Sequence, residues 1–279
     1  MTQYLMWISV RRVILLSRNN LQGWCKVRPV TFFDIWEPWR GSIIDQHGFY
    51  VDQGKNKLLS QFNNMEQESD EAAERWLDKQ SQNFDPDRDD PGSIEENAYH
   101  EGLEYYRLLS ELRDQTRLSI VAGMYHSWDK ELRRWLLKEI DHWHRGPNVT
   151  DKVWKATFDE IIDLLDLTGL AKRTAGYIQK LSACRYVVNV YKHGEGLSLD
   201  KLKSLHPEYL NSSYNNGGVM IPSRIDHTHL SVTDKQLDEF SDAVVGFWRA
   251  IPSRVSSNTL NVPSWFEKAM QADNKIKKP

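Results

Sequence analysis

The chain has 279 residues, 40% hydrophobic and 27% charged, which excludes a disordered or collagen-like polymer and leaves enough apolar material for a sizeable core. A formal charge of −3 excludes a broadly basic nucleic-acid coat protein but permits a local basic site. Fifteen glycines and ten prolines are few turn-formers for this length, which favours long helices over a many-stranded sandwich.

The first thirty residues carry five basic side chains, Arg11, Arg12, Arg18, Lys26 and Arg28, and no acid before Asp34. Arg11-Arg12 interrupts the apolar run, which argues against an export signal and for an ordinary element packed on the rest; an organelle-targeting or membrane-surface helix is the alternative. No run is apolar for long enough to span a bilayer. Cys25 and Cys184 are too far apart for a metal knuckle and too few for a disulfide framework, so a reducing, cytoplasmic setting without membrane association is expected.

In chain order, Phe32-Phe33-Asp34-Ile35-Trp36 and Gly48-Phe49-Tyr50-Val51 read as short strands in a variable N-terminal region, residues 1–91. Glu66 to Glu96 swings acidic, with twelve Asp or Glu against Arg75, Lys79 and Arg88. The proline pair at its centre reads as a solvated linker, because the Asp spacing lacks the glycine and closing Glu of a calcium loop. Ser93 with Glu96 has the pattern of a capping box. Apolar residues then recur at three- and four-residue steps from Tyr105 to Trp143, with a break expected near Asp114 or Gly123.

A second helix is expected after Asn148 or Thr150, ending at Gly169 and carrying Trp154, Phe158, Ile161 and Leu165. A third is expected from about Lys172 to His193, stopping at Gly194-Glu195-Gly196. A fourth opens with a Thr233–Gln236 capping box and stops at Pro252, after a polar loop containing Asn215-Asn216-Gly217-Gly218. The expected class is mostly α: a bundle of long antiparallel helices over residues 92–252, a smaller irregular or mixed N-terminal part, and a C-terminal tail, 253–279.

On the third helix, Tyr177, Leu181, Cys184 and Val188 share the core-facing stripe. Arg185, Asn189 and His193 stack at i, i+4, i+8 beside it, with Lys192 adjacent. A guanidinium, an amide, an ammonium and an imidazole at one helix end suit an anionic phosphodiester, and they lack the carboxylates a magnesium site wants. The competing reading makes Arg185 and Lys192 surface cations favouring a helix C-terminus, with His193 a terminal residue.

The stretch Val188-Asn189-Val190-Tyr191-Lys192-His193-Gly194, closing a long helix in an all-α bundle, resembles the end-of-helix motif of HEPN-type domains. Met124-Tyr-His-Ser-Trp-Asp-Lys-Glu131-Leu-Arg and Phe247-Trp248-Arg-Ala-Ile-Pro252 add to the likeness, which covers roughly residues 100–252. That superfamily, common among bacterial toxins and phage-defence systems, carries an Arg-polar-x-x-x-His motif. The resemblance implies a metal-independent ribonuclease that uses no cofactor, with the site assembled in a homodimer. RNA, and an antitoxin or defence-system component, are the implied partners. Asn189 falls on the polar position and His193 on the histidine. The family's arginine falls on position 188, a valine here, so Arg185, one turn earlier, is the substitute. His193 is then the acid or base, with Arg185 and Lys192 on the phosphate. The alternative is a non-catalytic helical binding or interaction module of the same fold.

Other features are weaker. His142 and His144 point apart if helical and cannot chelate one ion together, and His227-Thr228-His229 has only Asp226 as a nearby carboxylate, so no metal site is expected. Glu131 is read as an ion-pair partner of Arg134 or Lys130. Trp128, Trp135, Trp143, Trp154 and Trp248 are read as core or interface fillers.

Overall fold

The structure, a computed structural model, describes residues 29–82, 84–85, 87–210 and 225–276. The basic N-terminal stretch with Cys25, and the Asn215–Gly218 loop, lie outside the described residues. Strand β1 (Val30–Asp34) is followed by α1 (Glu37–Lys57), α2 (Met65–Ser81), α3 (Pro91–Ile140), α4 (Pro147–Lys155), α5 (Phe158–Leu167), α6 (Gly176–His193), α7 (Leu197–Leu205), α8 (Asp234–Ala250), strand β2 (Arg254–Ser257) and α9 (Ser264–Ile276). The class is mostly α, with β1 and β2 forming one small antiparallel ribbon.

Four helices make the central bundle. The start of α8 meets α3 through Arg117 and Asp234, and its end packs Trp248 against Trp135, so the two run parallel. Helix α1 runs the other way: Trp39 stacks on Trp135, while Gly54 faces Ile120. Helix α6 is also antiparallel, with Tyr191 bonded to Ser119 and Tyr177 on Phe247, which itself lies edge-on to Trp128. Between them Met124, Leu132, Leu181, Val187, Phe240 and Val244 are almost completely buried. Val188 is also in this core, at 1% exposure.

Residues 92–252 do not by themselves enclose this core. Phe33, Ile43 and Val51 join it from before the acidic stretch, and Phe266 and Ala269 from α9. Asp273 of α9 is buried against the start of α4, accepting the N–H groups of Asn148 and Val149 and meeting His144 Nε2 at 3.1 Å. A Cβ at Gly146 would lie 2.0 Å from the Asp273 carboxyl carbon, so only glycine fits beneath it. Burial by itself would raise that carboxyl, but the donors converging on it outweigh burial and hold it down at about 2.

The local differences from the sequence expectations have physical causes. Gly48 to Val51 is helix, not strand, because Ile43, His47, Val51 and Gly54 form one buried face at helical spacing. Phe32 and Phe33 do lie in a strand. Helix α3 is continuous through Asp114 and Gly123, with no proline inside to break it. Its N-cap is Asp90, which accepts the N–H of Ser93, while Glu96 pairs with His100. The second expected helix divides at Ala156, where Thr157 and Glu160 form a capping box that opens α5. Helix α7 lies where only polar loop was expected. Trp128, Trp135 and Trp248 fill the core, whereas Trp154 is exposed.

Candidate functional site

Helix α6 ends because Gly194 adopts a left-handed backbone (φ 72°) and its N–H caps Val190 O at 2.8 Å. Lys192 and His193, exposed in the last turn, complement the negative end of the helix dipole.

The residues of the sequence motif fan out from this end. Arg185 Nη1 donates to Asp159 Oδ2 at 3.1 Å, and its guanidinium lies 4.7 Å from the Phe158 ring and 4.8 Å from the Tyr186 ring. Asn189 Nδ2 donates to Ser198 Oγ of α7 at 3.2 Å. Lys192 lies near α3: burial and the Lys192 charge push the His126 imidazole below its ordinary value, with Lys130 adding to the effect and Asp129 opposing it. Glu131 bonds Arg134, as its position on the helix implied.

Sequence reasoning missed what packs on Gly194, the residue after His193. The His227 ring packs over Gly194, with its Cγ 3.5 Å from where a Cβ would sit. Both the His227 N–H and its ring Nδ1 meet Glu195 Oε1, at 3.1 and 3.0 Å. That contact holds the Glu195 carboxyl below its ordinary value. With Nδ1 engaged on a carboxylate, Nε2 is the nitrogen left to exchange a proton, so the imidazole is oriented as well as placed. His229 goes elsewhere, to Asp226, whose carboxyl is drawn down to about 2 by the Thr228 and His229 hydrogen bonds. His227 and His229 therefore sit in one 3₁₀ turn on separate carboxylates. His144 is bonded to Asp273, and His142 is exposed.

Among the described residues, no group of three or more His, Cys, Asp or Glu is placed to hold a metal ion. Among the same residues, no helix is long and apolar enough to cross a membrane. Cys184 is a buried free thiol, and burial pushes its pKa up. Compared with protein-family models, curated proteins and solved structures, the chain matches none. The fold thus defines a helical-bundle protein, and the end of α6 exposes Lys192 and His193 next to the turn that carries His227.

Proposed function

We propose that the end of α6 cleaves RNA without a metal ion, with His193 and His227 as the acid–base pair. The observation that carries this reading is the His227 ring seated on Gly194 and held by Glu195, which sets a second, oriented imidazole against the residue that follows His193 in the chain. One imidazole takes the proton of a ribose 2′-hydroxyl as that oxygen attacks the adjacent phosphorus. The other gives a proton to the departing 5′-oxygen. The products are a 2′,3′-cyclic phosphate and a 5′-hydroxyl. Lys192, exposed in the same last turn of α6, is the cation that would neutralise charge developing on the phosphate, with Asn189 one turn earlier. The resemblance noted in the sequence adds a toxin or phage-defence role, a homodimer and an antitoxin-like partner to this proposal.

A digest of mixed RNA in EDTA tests it. Wild type should leave 2′,3′-cyclic ends, and His193→Ala should lose about 10²–10⁴-fold in rate. A wild type that cuts no RNA, or a His193→Ala protein that cuts as well, overturns the reading.

The second reading, a non-catalytic binding module, is favoured by one specific observation: Arg185 is engaged by Asp159 and two rings, and position 188 faces the core. Arg185→Ala separates the two roles for that side chain. It should lower cleavage if the guanidinium reaches the phosphate, and lower only stability if it serves Asp159. Growth arrest on expression of wild type, relieved by His193→Ala, argues for the enzyme over the module.

A further inference from the structure

A cleft of 1090 Å³ opens between β1, the start of α1 and the last turns of α3. It is remote from the α6 end: its residue Glu139 lies about 30 Å along α3 from Ser119, the partner of Tyr191. Nothing proposed for His193 or His227 uses it.

Three features of the cleft describe an occupant. Trp36 stands on its rim at 71% exposure, a large flat ring more open to water than any other tryptophan among the described residues. Such a side chain offers a stacking surface for a planar ring. Among the carboxylates lining the cleft, Asp34 is paired with Arg254, and Glu37 with Arg40. Glu139 differs from both. The residue is 5% exposed, its Oε2 accepts the Asp34 N–H at 2.9 Å, and its Oε1 has no partner among the described residues. An open acceptor in a partly apolar recess calls for a ligand edge that carries N–H donors. At the rim, Lys138 and His142 are exposed; both act electrostatically on Glu139, but neither side chain has a hydrogen bond or a close ion pair among the described residues. They call for an anion.

A planar ring with an N–H edge and an anionic tail is a nucleotide. Among the common bases, guanine presents two adjacent donors, N1–H and N2–H, to a carboxylate. Adenine and cytosine place a bare ring nitrogen beside their amino group, and uracil flanks its one N–H with carbonyls. A free cationic amine would also suit Trp36 and Glu139, but Lys138 and His142 oppose it. We propose that this cleft binds a guanine nucleotide, with the base stacked on Trp36, its Watson–Crick edge on Glu139, and its phosphate over Lys138 and His142. This site stands whether or not the α6 end cleaves RNA.

Calorimetric titration of the full chain with guanosine monophosphate tests it, with the adenine, cytosine and uracil monophosphates and guanosine as controls. The guanine nucleotide should bind, with the other three nucleotides at least about tenfold weaker for want of the paired donors. Trp36→Ala should weaken it by about tenfold or more, the loss of one base–aromatic stack. Lys138→Ala should weaken the nucleotide but leave guanosine unchanged, and Glu139→Gln should abolish the preference for guanine over adenine. Trp36 and Lys138 are exposed, so their variants should melt as wild type and report on binding alone. The proposal is overturned if guanosine monophosphate fails to bind at millimolar concentration or binds no better than the adenine nucleotide. Undiminished binding by both Trp36→Ala and Lys138→Ala also overturns it. Cleavage by the His193 site is read separately, so either proposal can fail without the other.

Discussion

From Pro91 to Arg113, α3 packs on α2 and leaves Tyr99, Leu103, Leu108 and Leu112 exposed; from Arg117 to Ile140 the same helix is buried among α1, α6 and α8. The first half meets its partner through small residues. Ser69 Oγ donates to Gly102 O, and Ala73 lies against Gly102, so the helices approach closely but bury little apolar area. This arm, residues 65–113, holds fifteen carboxylates against five cations, a net charge of −10, which leaves the rest of the chain at +7. Ion pairs such as Arg107 with Glu104 and Glu111 sit on its surface, where each contributes little. One continuous hydrogen-bonded helix therefore has two stabilities: core packing sets that of its second half, and the local pairing with α2 sets that of the first.

The contrast is broken most sharply by truncation. Trp128→Ala in the buried half should cost about 3–5 kcal/mol, while Tyr99→Ala in the arm should stay within about 0.5 kcal/mol, both read by urea unfolding. Equal costs would contradict the division.

Next in size is the clamp that ties α9 to the bundle. Asp273→Asn removes the charge that holds Asn148, Val149 and His144, and should cost about 2–3 kcal/mol. Because the folded carboxyl titrates at about 2 against an ordinary 3.8, its stabilisation is present above the ordinary value and is lost as pH falls from there toward 2. Melting temperature followed from pH 5 downward should fall less steeply in the variant, in acid below about pH 4.

Gly102→Val sharpens the comparison from the arm's side. A Cβ there would lie 3.1 Å from Ser69 O and 3.2 Å from Ala73 Cβ. The crowding should cost about 1–3 kcal/mol, felt as faster hydrogen exchange over residues 65–113 with the bundle unchanged. The smallest effect is expected from Asp90→Ala, which removes the N-cap of α3 and should cost about 1 kcal/mol, visible as fraying of the arm's first turn.

Local signals carried the sequence reading a long way. The Thr233–Gln236 capping box opens α8 where expected, and the stripe of Tyr177, Leu181, Cys184 and Val188 faces the core or its edge. Ser93 failed as a cap because Asp90, three residues earlier, starts the helix instead and accepts both the N–H and the hydroxyl of Ser93, a choice between neighbours that pattern alone does not rank. The aromatic run at Gly48 to Val51 has strand propensity, but its place on a helical face is decided by α3 and α8, which lie far away in sequence. The same holds at the candidate site. The i, i+4, i+8 spacing of Arg185, Asn189 and His193 was legible, yet their partners Asp159 and Ser198 were not, nor was the pairing of Glu195 with a histidine thirty-two residues later. Side-chain type and spacing locate a cluster on one helix; which groups from other elements complete it depends on the packed bundle.

The pH dependence of RNA cleavage in EDTA, with wild type, His193→Ala and His227→Ala, is the most direct test of the acid–base pair at the end of α6. The account requires a bell-shaped profile for wild type, with each variant losing one limb of the bell along with about 10²–10⁴-fold in rate. A wild type without activity, or a His227→Ala protein that keeps both the rate and the bell, would contradict it.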